Sequence, residues 1–435
     1  MVLLTDESAT ALPSLASRGD LVWMSVGDFD GDLLPDLFWT AGYHTDRLLM
    51  NNGFAEGKPW QDANRVGFGK FQFNTFAEVP ELVKDGMGAA FGDLDGDGFP
   101  DLVQGGAKDR LYVFMGKGGR WVDETAARMP AITFDLTLNG LILVDLNKDK
   151  DLDIVGTRED SHPIELANNG KGVFSDVSAL NVPDTAPHSG GLAAADLDLD
   201  GDPDLVFGVD YCYYSCYGSK IFINGGDIFN NGGAFLLDKT STWWPSNVPT
   251  QVRSVVVADF NYDKQPDVYL GMSGQNRLYL DDAVKSVLGD STVTYLPAIS
   301  DDTRDVLVMD FDADGDKDIL VANWGQSRFH VRESLAKFAD ATTSALPALS
   351  LQTQGVAGGD CDLDGLPEIV MGNWEQKKTL LGNLGGDRFT DLSSNLPDDW
   401  DATRHVFLMD VDGDGDLDLY IVNKGQDRLY VNTTK

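Results

Sequence analysis

The nine residues from Asp410 to Asp418 read DVDGDGDLD, and seven other stretches share their spacing. These are DFDGDLLPD from Asp28, DLDGDGFPD from Asp93, DLNKDKDLD from Asp145, DLDLDGDPD from Asp196, DFNYDKQPD from Asp259, DFDADGDKD from Asp310 and DCDLDGLPE from Asp360. Like charges packed this densely repel one another and work against a compact state unless something neutralises them. A hard cation such as Ca²⁺ takes about six to eight oxygen ligands at short range, and D-x-D-x-D with a later carboxylate supplies them from one tight turn. Turn chemistry favours Asp and Gly but does not itself ask for carboxylates at alternate positions. An EF-hand starts the same way but needs Glu at position twelve, where this chain has Ile421, Val321 and Gln104.

Short apolar runs position each of these stretches. DVLVM (305–309), GLAAA (191–195) and HVFLM (405–409) precede the acidic residues, and ILVAN (319–323) and LYIVN (419–423) follow them. Runs of four to six residues rich in Val, Ile, Leu and Phe between turn residues read as buried strands, so the acidic loop joins two strands of a hairpin. A third strand follows in GQDRLYVN (425–432), GQNRLYL (274–280) and KDRLYVF (108–114). A fourth is marked by F-x-D-x-[TS] before an LP, as in KFADATTSALP (337–347), RFTDLSSNLP (388–397) and VFSDVSALNVP (173–183).

The acidic stretches start between 50 residues (Asp310 to Asp360) and 65 residues (Asp28 to Asp93) apart. Self-similarity at a period near 50, with four strands per repeat, predicts an all-β propeller. After Asp410 the chain supplies three strands and stops, and the missing element, LTDESATALP, stands at residues 4–13. Residues 1–13 are therefore expected to close the last blade as its outer strand. The result would be one eight-bladed domain of four-stranded antiparallel blades over residues 1–435, with no exposed sheet edge.

FGDLDGDGFPDLVQGG (91–106), with Phe-Gly before the acidic loop and Gly-Gly after it, resembles the FG-GAP/VCBS repeats of integrin α-subunit propellers and many bacterial proteins. GQDRLYVN and F-x-D-x-T look like the bacterial form of that repeat. The resemblance implies side-chain oxygens from positions 1, 3, 5 and 9 and a backbone carbonyl from position 7. The implied calcium ligands are Asp28, Asp30, Asp32, Asp36, Asp93, Asp95, Asp97, Asp101, Asp145, Asn147, Asp149, Asp153, Asp196, Asp198, Asp200 and Asp204. The second half adds Asp259, Asn261, Asp263, Asp267, Asp310, Asp312, Asp314, Asp318, Asp360, Asp362, Asp364, Glu368, Asp410, Asp412, Asp414 and Asp418. Up to eight structural Ca²⁺ would follow. Asn147 and Asn261 keep an oxygen but lose a charge, and Lys150 and Lys264 stand where Gly is usual at position six.

The chain carries 70 acidic and 33 basic side chains, a formal net charge of −37. That excess argues against nucleic acid and anionic membrane surfaces as partners. No run of eighteen apolar residues is present, so no membrane insertion is expected, and 42% apolar residues suffice for a globular core. The opening MVLLTDESATALP lacks the charged and apolar regions of a secretory leader. Calcium affinities of extracellular modules, about 10⁻⁴ to 10⁻³ M, nevertheless suit an extracellular, cell-surface or periplasmic monomer and would leave cytosolic sites empty. Cys212 and Cys216 in DYCYYSCYG are placed either to form a local disulfide or to remain two thiols.

A protein or glycan partner is expected on the face opposite the calcium loops, where the chain varies most. Aromatic candidates are Trp60 in the first long insertion, Tyr213 and Tyr214 in DYCYYSCYG, Trp243 and Trp244 in STWWPSN, and Trp324 and Trp374 in the recurring N-W-x-Q. Exposed aromatics beside amides anchor partners, whereas buried ones pack between blades. The entrances of the first strands carry Arg18, Asp20, His188, Arg253, Arg304, Asp305, Arg404 and His405, able to meet an anionic ligand or to pair with one another. The five histidines lie in different repeats without an H-x-x-x-H or G-x-S-x-G pattern. A secreted or cell-surface binding module is therefore the leading expectation. A polysaccharide lyase acting on uronate-containing glycans, by analogy of fold, is the alternative.

Overall fold

The computed structural model describes residues 4–6, 21–28, 34–41, 47–51, 60–62, 88–105, 111–116, 121–130, 138–158, 161–183, 189–209, 218–228, 232–244, 250–281, 288–334, 337–411, 414–424 and 427–432. The fold is all-β. Antiparallel pairing builds four-stranded sheets in chain order, such as Leu21–Gly27, Asp36–Ala41, Arg47–Asn51 and Trp60–Asp62. Three successive four-stranded units between Val252 and Asp391 are joined into one twelve-stranded sheet by short pairings of Gly274 with Asp301 and Gly325 with Leu351. The N-terminal Leu4–Asp6 pairs with Arg428–Asn432 in the register Leu4↔Asn432, Thr5↔Val431 and Asp6↔Tyr430. LTD thus supplies the outer strand of the sheet whose other three strands come from the C-terminus.

Second strands such as Asp204–Val209 and Glu368–Asn373 are buried along their whole length. Their unbroken apolar runs have that cause: both faces are covered by neighbouring sheets. The core accordingly lies between units, where Leu94, Val103 and Val113 of one sheet meet Leu141, Ile154 and Ile164 of the next. The first strands converge so closely that a Cβ on Gly355 would lie 2.9 Å from the Arg404 carbonyl oxygen. Glycine is required there because backbone cannot yield as a side chain does.

The F-x-D-x-[TS] signature has a physical role. Asp238, Asp290 and Asp340, each ending an outer strand, accept the amide N–H two residues on (2.9, 3.0 and 3.0 Å) and start the helical turns Thr240–Trp243, Thr292–Tyr295 and Thr342–Ala345. The Thr hydroxyl in turn accepts the N–H of Ile221, Leu278 or Phe329 from the adjacent third strand. The sequence reading foresaw a strand here but not the turn that follows it. In four units the Asn ending the third strand clips its unit to the one before: Asn168, Asn224, Asn383 and Asn432 donate to the carbonyls of Leu94, Leu146, Phe311 and Cys361 at 2.9, 2.7, 2.7 and 2.6 Å.

Candidate metal centres

Among the described residues, the acidic loops are organised by their own carboxylates. In residues 93–101, Asp93 accepts the amides of Gly96 and Gly98 (2.8 and 2.9 Å), and Asp97 accepts that of Phe99 (2.9 Å). The turn needs left-handed backbone at position six, which Gly98, Gly201, Gly315, Gly365 and Gly415 adopt freely, whereas Lys150 and Lys264 adopt it at φ 77° and 71°.

Position nine is buried in every loop: Asp36, Asp101, Asp153, Asp204, Asp267, Asp318, Glu368 and Asp418. Its carboxylate staples two elements. Asp101 accepts the Leu94 amide (2.8 Å) with one oxygen and the Gly116 amide (2.6 Å) with the other, and Asp204 and Asp418 repeat the pattern with Leu197 and Asn224, and with Val411 and Asn432. The sequence assigned these residues to a metal but gave no sign that they also tie the loop to the third strand.

A divalent cation fits these groups. Carboxylate oxygens of Asp93, Asp95 and Asp101, of Asp196, Asp198 and Asp204, of Asp310, Asp312 and Asp314, and of Asp360, Asp362 and Glu368 lie within 4.8 Å of one another in each set. The Oδ1 atoms of Asp95, Asp196 and Asp310 are buried without a hydrogen-bond partner, so each points an unused lone pair into its loop. Calcium would supply the positive charge these oxygens lack. Asp28 and Asp36 are described, Asp30 and Asp32 are not. Asp410, Asp414 and Asp418 are described, Asp412 is not, and Asp416 at position seven is buried.

The two Asn loops differ. The Asn147 and Asn261 amides donate to Asp149 and Asp263 (2.9 and 3.0 Å), so an N–H stands between the position-three and position-five side chains. Asn147 also donates to the Gly232 carbonyl, which fixes the nitrogen's orientation. At position four these loops carry long side chains that brace the next loop: Lys148 reaches Asp202 (2.9 Å), and the Tyr262 hydroxyl bonds Gly315 and Lys317. Here the amide N–H takes up a carboxylate oxygen that in the all-carboxylate loops would be left for a cation.

Burial pushes the carboxyls of Asp101, Asp153, Asp204, Asp267, Asp318 and Glu368 up to about 7 in the metal-free protein. A folded pKa above the unfolded value of about 4 stabilises the fold fully below pH 4 and loses that contribution as pH rises through 7. The thermal midpoint of chelator-treated protein should therefore fall between pH 5.5 and 8.5. Calcium, by favouring the ionised form, should flatten that fall, and a flat profile without calcium would remove burial as its cause.

The opposite ends of the second strands carry the aromatic candidates. Asp318–Gly325 starts at a position-nine carboxylate and displays Trp324 six residues later, about 20 Å away at strand rise. Trp324 is 38% exposed with the Arg304 guanidinium 4.9 Å from its ring. Trp374, half-buried, has Arg404 at 5.4 Å and Lys424 at 5.8 Å. Buried Asn323 holds the Trp324 turn through the Gln326 carbonyl (2.9 Å), and Thr303 donates to its side-chain oxygen (3.0 Å). Asp302 pairs with Arg253 of the preceding unit and with Arg304 of its own strand, so one of these ion pairs crosses between units and the other stays within one.

Trp243 and Trp244 are placed differently from a ligand platform: they are 6% and 2% exposed and pack with Leu197, Val206 and Val268, Trp244 lying 5.4 Å from Tyr279. Trp244 takes the place that Leu296, Leu346 and Leu396 hold before proline in the other repeats, and that alignment is the signal for its burial. Trp60 lies in the strand Trp60–Asp62, its side chain outside the described residues, as are Tyr213, Tyr214, Cys212 and Cys216. Cys361 is a buried free thiol.

The FG-GAP-like repeat matches residues 28–104, 93–156, 145–207, 259–321, 310–371 and 360–421. The chain belongs to the FG-GAP-like repeat family. It is 29% identical over 188 residues to cartilage acidic protein 1 of Mus musculus and 27% identical over 182 residues to that of Homo sapiens. Each alignment covers 39% of this chain and 26% of the relative, so the chain spans about a quarter of the length of these curated relatives. Among solved structures, Saccharomyces cerevisiae Sqt1 superposes with a TM-score of 0.59 at 11% identity, covering 98% of this chain and 99% of that one, a likeness of fold alone.

Proposed function

We propose that the protein is a calcium-stabilised, eight-bladed propeller acting outside the cytoplasm as a binding or adhesion module for a protein or glycan partner. Closure is supported at the two ends of the chain: Leu4–Asp6 completes the C-terminal sheet, and Leu21–Gly27 packs against both Asp418–Lys424 and Gly88–Gly92. Up to eight Ca²⁺ neutralise the acidic loops, the Asn147 and Asn261 loops holding theirs weakest. An extracellular, surface or periplasmic setting supplies calcium at the concentration such loops need.

The observation that carries the binding reading is the pair Trp324 and Trp374. They occupy equivalent positions in consecutive units, on the end away from the acidic loops, each with an arginine against its ring. Aromatic faces flanked by arginine make strong contact sites, because both groups give large interaction area for little conformational entropy. A glycan array run in millimolar calcium tests this. Wild-type binding should fall at least tenfold in Trp324→Ala and Trp374→Ala at unchanged thermal midpoint, and a double variant that binds like wild type would take this surface out of the reading.

A further inference from the structure

The loop 310–318 differs from the other described loops in a way that points across the boundary between units. Asp387 lies in the turn between Thr379–Asn383 and Phe389–Asp391, in the unit that follows this loop. Its carboxylate oxygen is within 4.8 Å of those of Asp312 and Asp318, whereas the other described acidic sets come from single loops. The Asp387 Oδ1 is buried without a hydrogen-bond partner. Asp318 is only 4% exposed, and it lacks the bond to position two of its loop that Asp101, Asp153, Asp204, Asp267, Glu368 and Asp418 each make. One of its oxygens accepts the Arg332 amide (2.9 Å), and a carboxylate oxygen of Asp318 lies within 4.8 Å of those of Asp312 and Asp387.

The same place in other units holds a donor. Between the second and third units the Arg128 guanidinium bonds both Asp95 at position three and the Lys171 carbonyl in the neighbouring turn. Between the third and fourth, the Asn147 N–H meets the Gly232 carbonyl. Here position three is Asp312 and the neighbouring turn offers Asp387, so two acceptors face each other. The carboxylates gathered with that of Asp387, those of Asp312 and Asp318, carry the same sign. Carboxylates this close repel unless a cation stands between them.

We propose that Asp387 is a fifth carboxylate ligand to the cation of loop 310–318, so that this ion bridges two units of the fold. The inference rests on the calcium reading above and extends it to a residue outside the repeat motif. Five carboxylates give this site the highest ligand charge of the described loops, and charge count raises calcium affinity. The ion acts as an inter-unit clasp, complementing Tyr262, which holds the same loop from the preceding unit.

Calcium titration calorimetry on the full chain tests this with Asp387→Asn, Asp312→Asn and the double variant. Asn tolerates the left-handed backbone at residue 387 (φ 55°), so the first substitution removes charge without forcing the turn to rearrange. Asp387→Asn should weaken one calcium site at least tenfold and leave the others unchanged, and it should add little in the Asp312→Asn background, as expected for two ligands of one ion. Wild type that binds calcium while Asp387→Asn retains every site at unaltered affinity overturns the inter-unit ligand alone. Wild type that binds no calcium overturns this inference together with the reading beneath it.

Discussion

Removing calcium with a chelator at pH 8 should lower the thermal midpoint by about 5–10 °C, and millimolar calcium should restore it. A ligand held only by the folded state adds RT ln(1 + [L]/Kd), which at millimolar calcium and a Kd of about 10⁻⁴ to 10⁻³ M is about 0.4–1.4 kcal/mol per site. Several filled loops would therefore contribute roughly 2–8 kcal/mol, a large share of the stability of a typical domain. About 1 kcal/mol moves the midpoint of a 150–250-residue domain by about 2–4 °C, and a longer chain by less. The direction follows from the site: Asp95, Asp196 and Asp310 hold buried, unpartnered oxygens, and eight buried position-nine carboxylates share loops with further acids. Magnesium should restore much less, because it demands octahedral geometry and sheds water reluctantly.

The second large effect concerns packing. Trp244→Ala in the presence of calcium should cost about 3–5 kcal/mol, the range for deleting a buried Trp. The indole fills the space between Val206, Val252, Val268 and Tyr279 and has no solvent to retreat into. Trp324→Ala, at a half-exposed ring, should stay within about 0.5 kcal/mol of wild type. Urea unfolding of the two variants checks the contrast. Similar small losses in both would mean that the Trp244 pocket is not the core contact described.

Much of this architecture could be read from local pattern. The eight acidic stretches, the apolar runs around them and the displaced LTD segment are properties of contiguous residues, and Leu4–Asp6 pairs where its sequence placed it. The N-W-x-Q recurrence marked the turn, and in the structure the buried Asn323 amide satisfies the backbone there. What escaped the sequence was contact between repeats. STWWPSN reads as a polar, aromatic loop by composition, yet its first residues form a helical turn and Trp244 substitutes for a core leucine. Asp387 sits in GGDRF, far in sequence from Asp312, and only the packing of successive sheets brings the two together. Ligand type at Asn147 and Asn261 was visible as a lost charge. That the freed N–H would bond the next aspartate depends on side-chain geometry that spacing does not encode.

The central claim is that these loops are cation sites that hold the fold. Equilibrium dialysis against 2 mM CaCl₂ followed by atomic emission counts the ions on each chain directly. The account predicts about six retained calcium ions, one for each all-carboxylate loop, with the Asn147 and Asn261 loops filling only at higher concentration. Fewer than one ion per chain, with the midpoint unmoved by chelator, would contradict it.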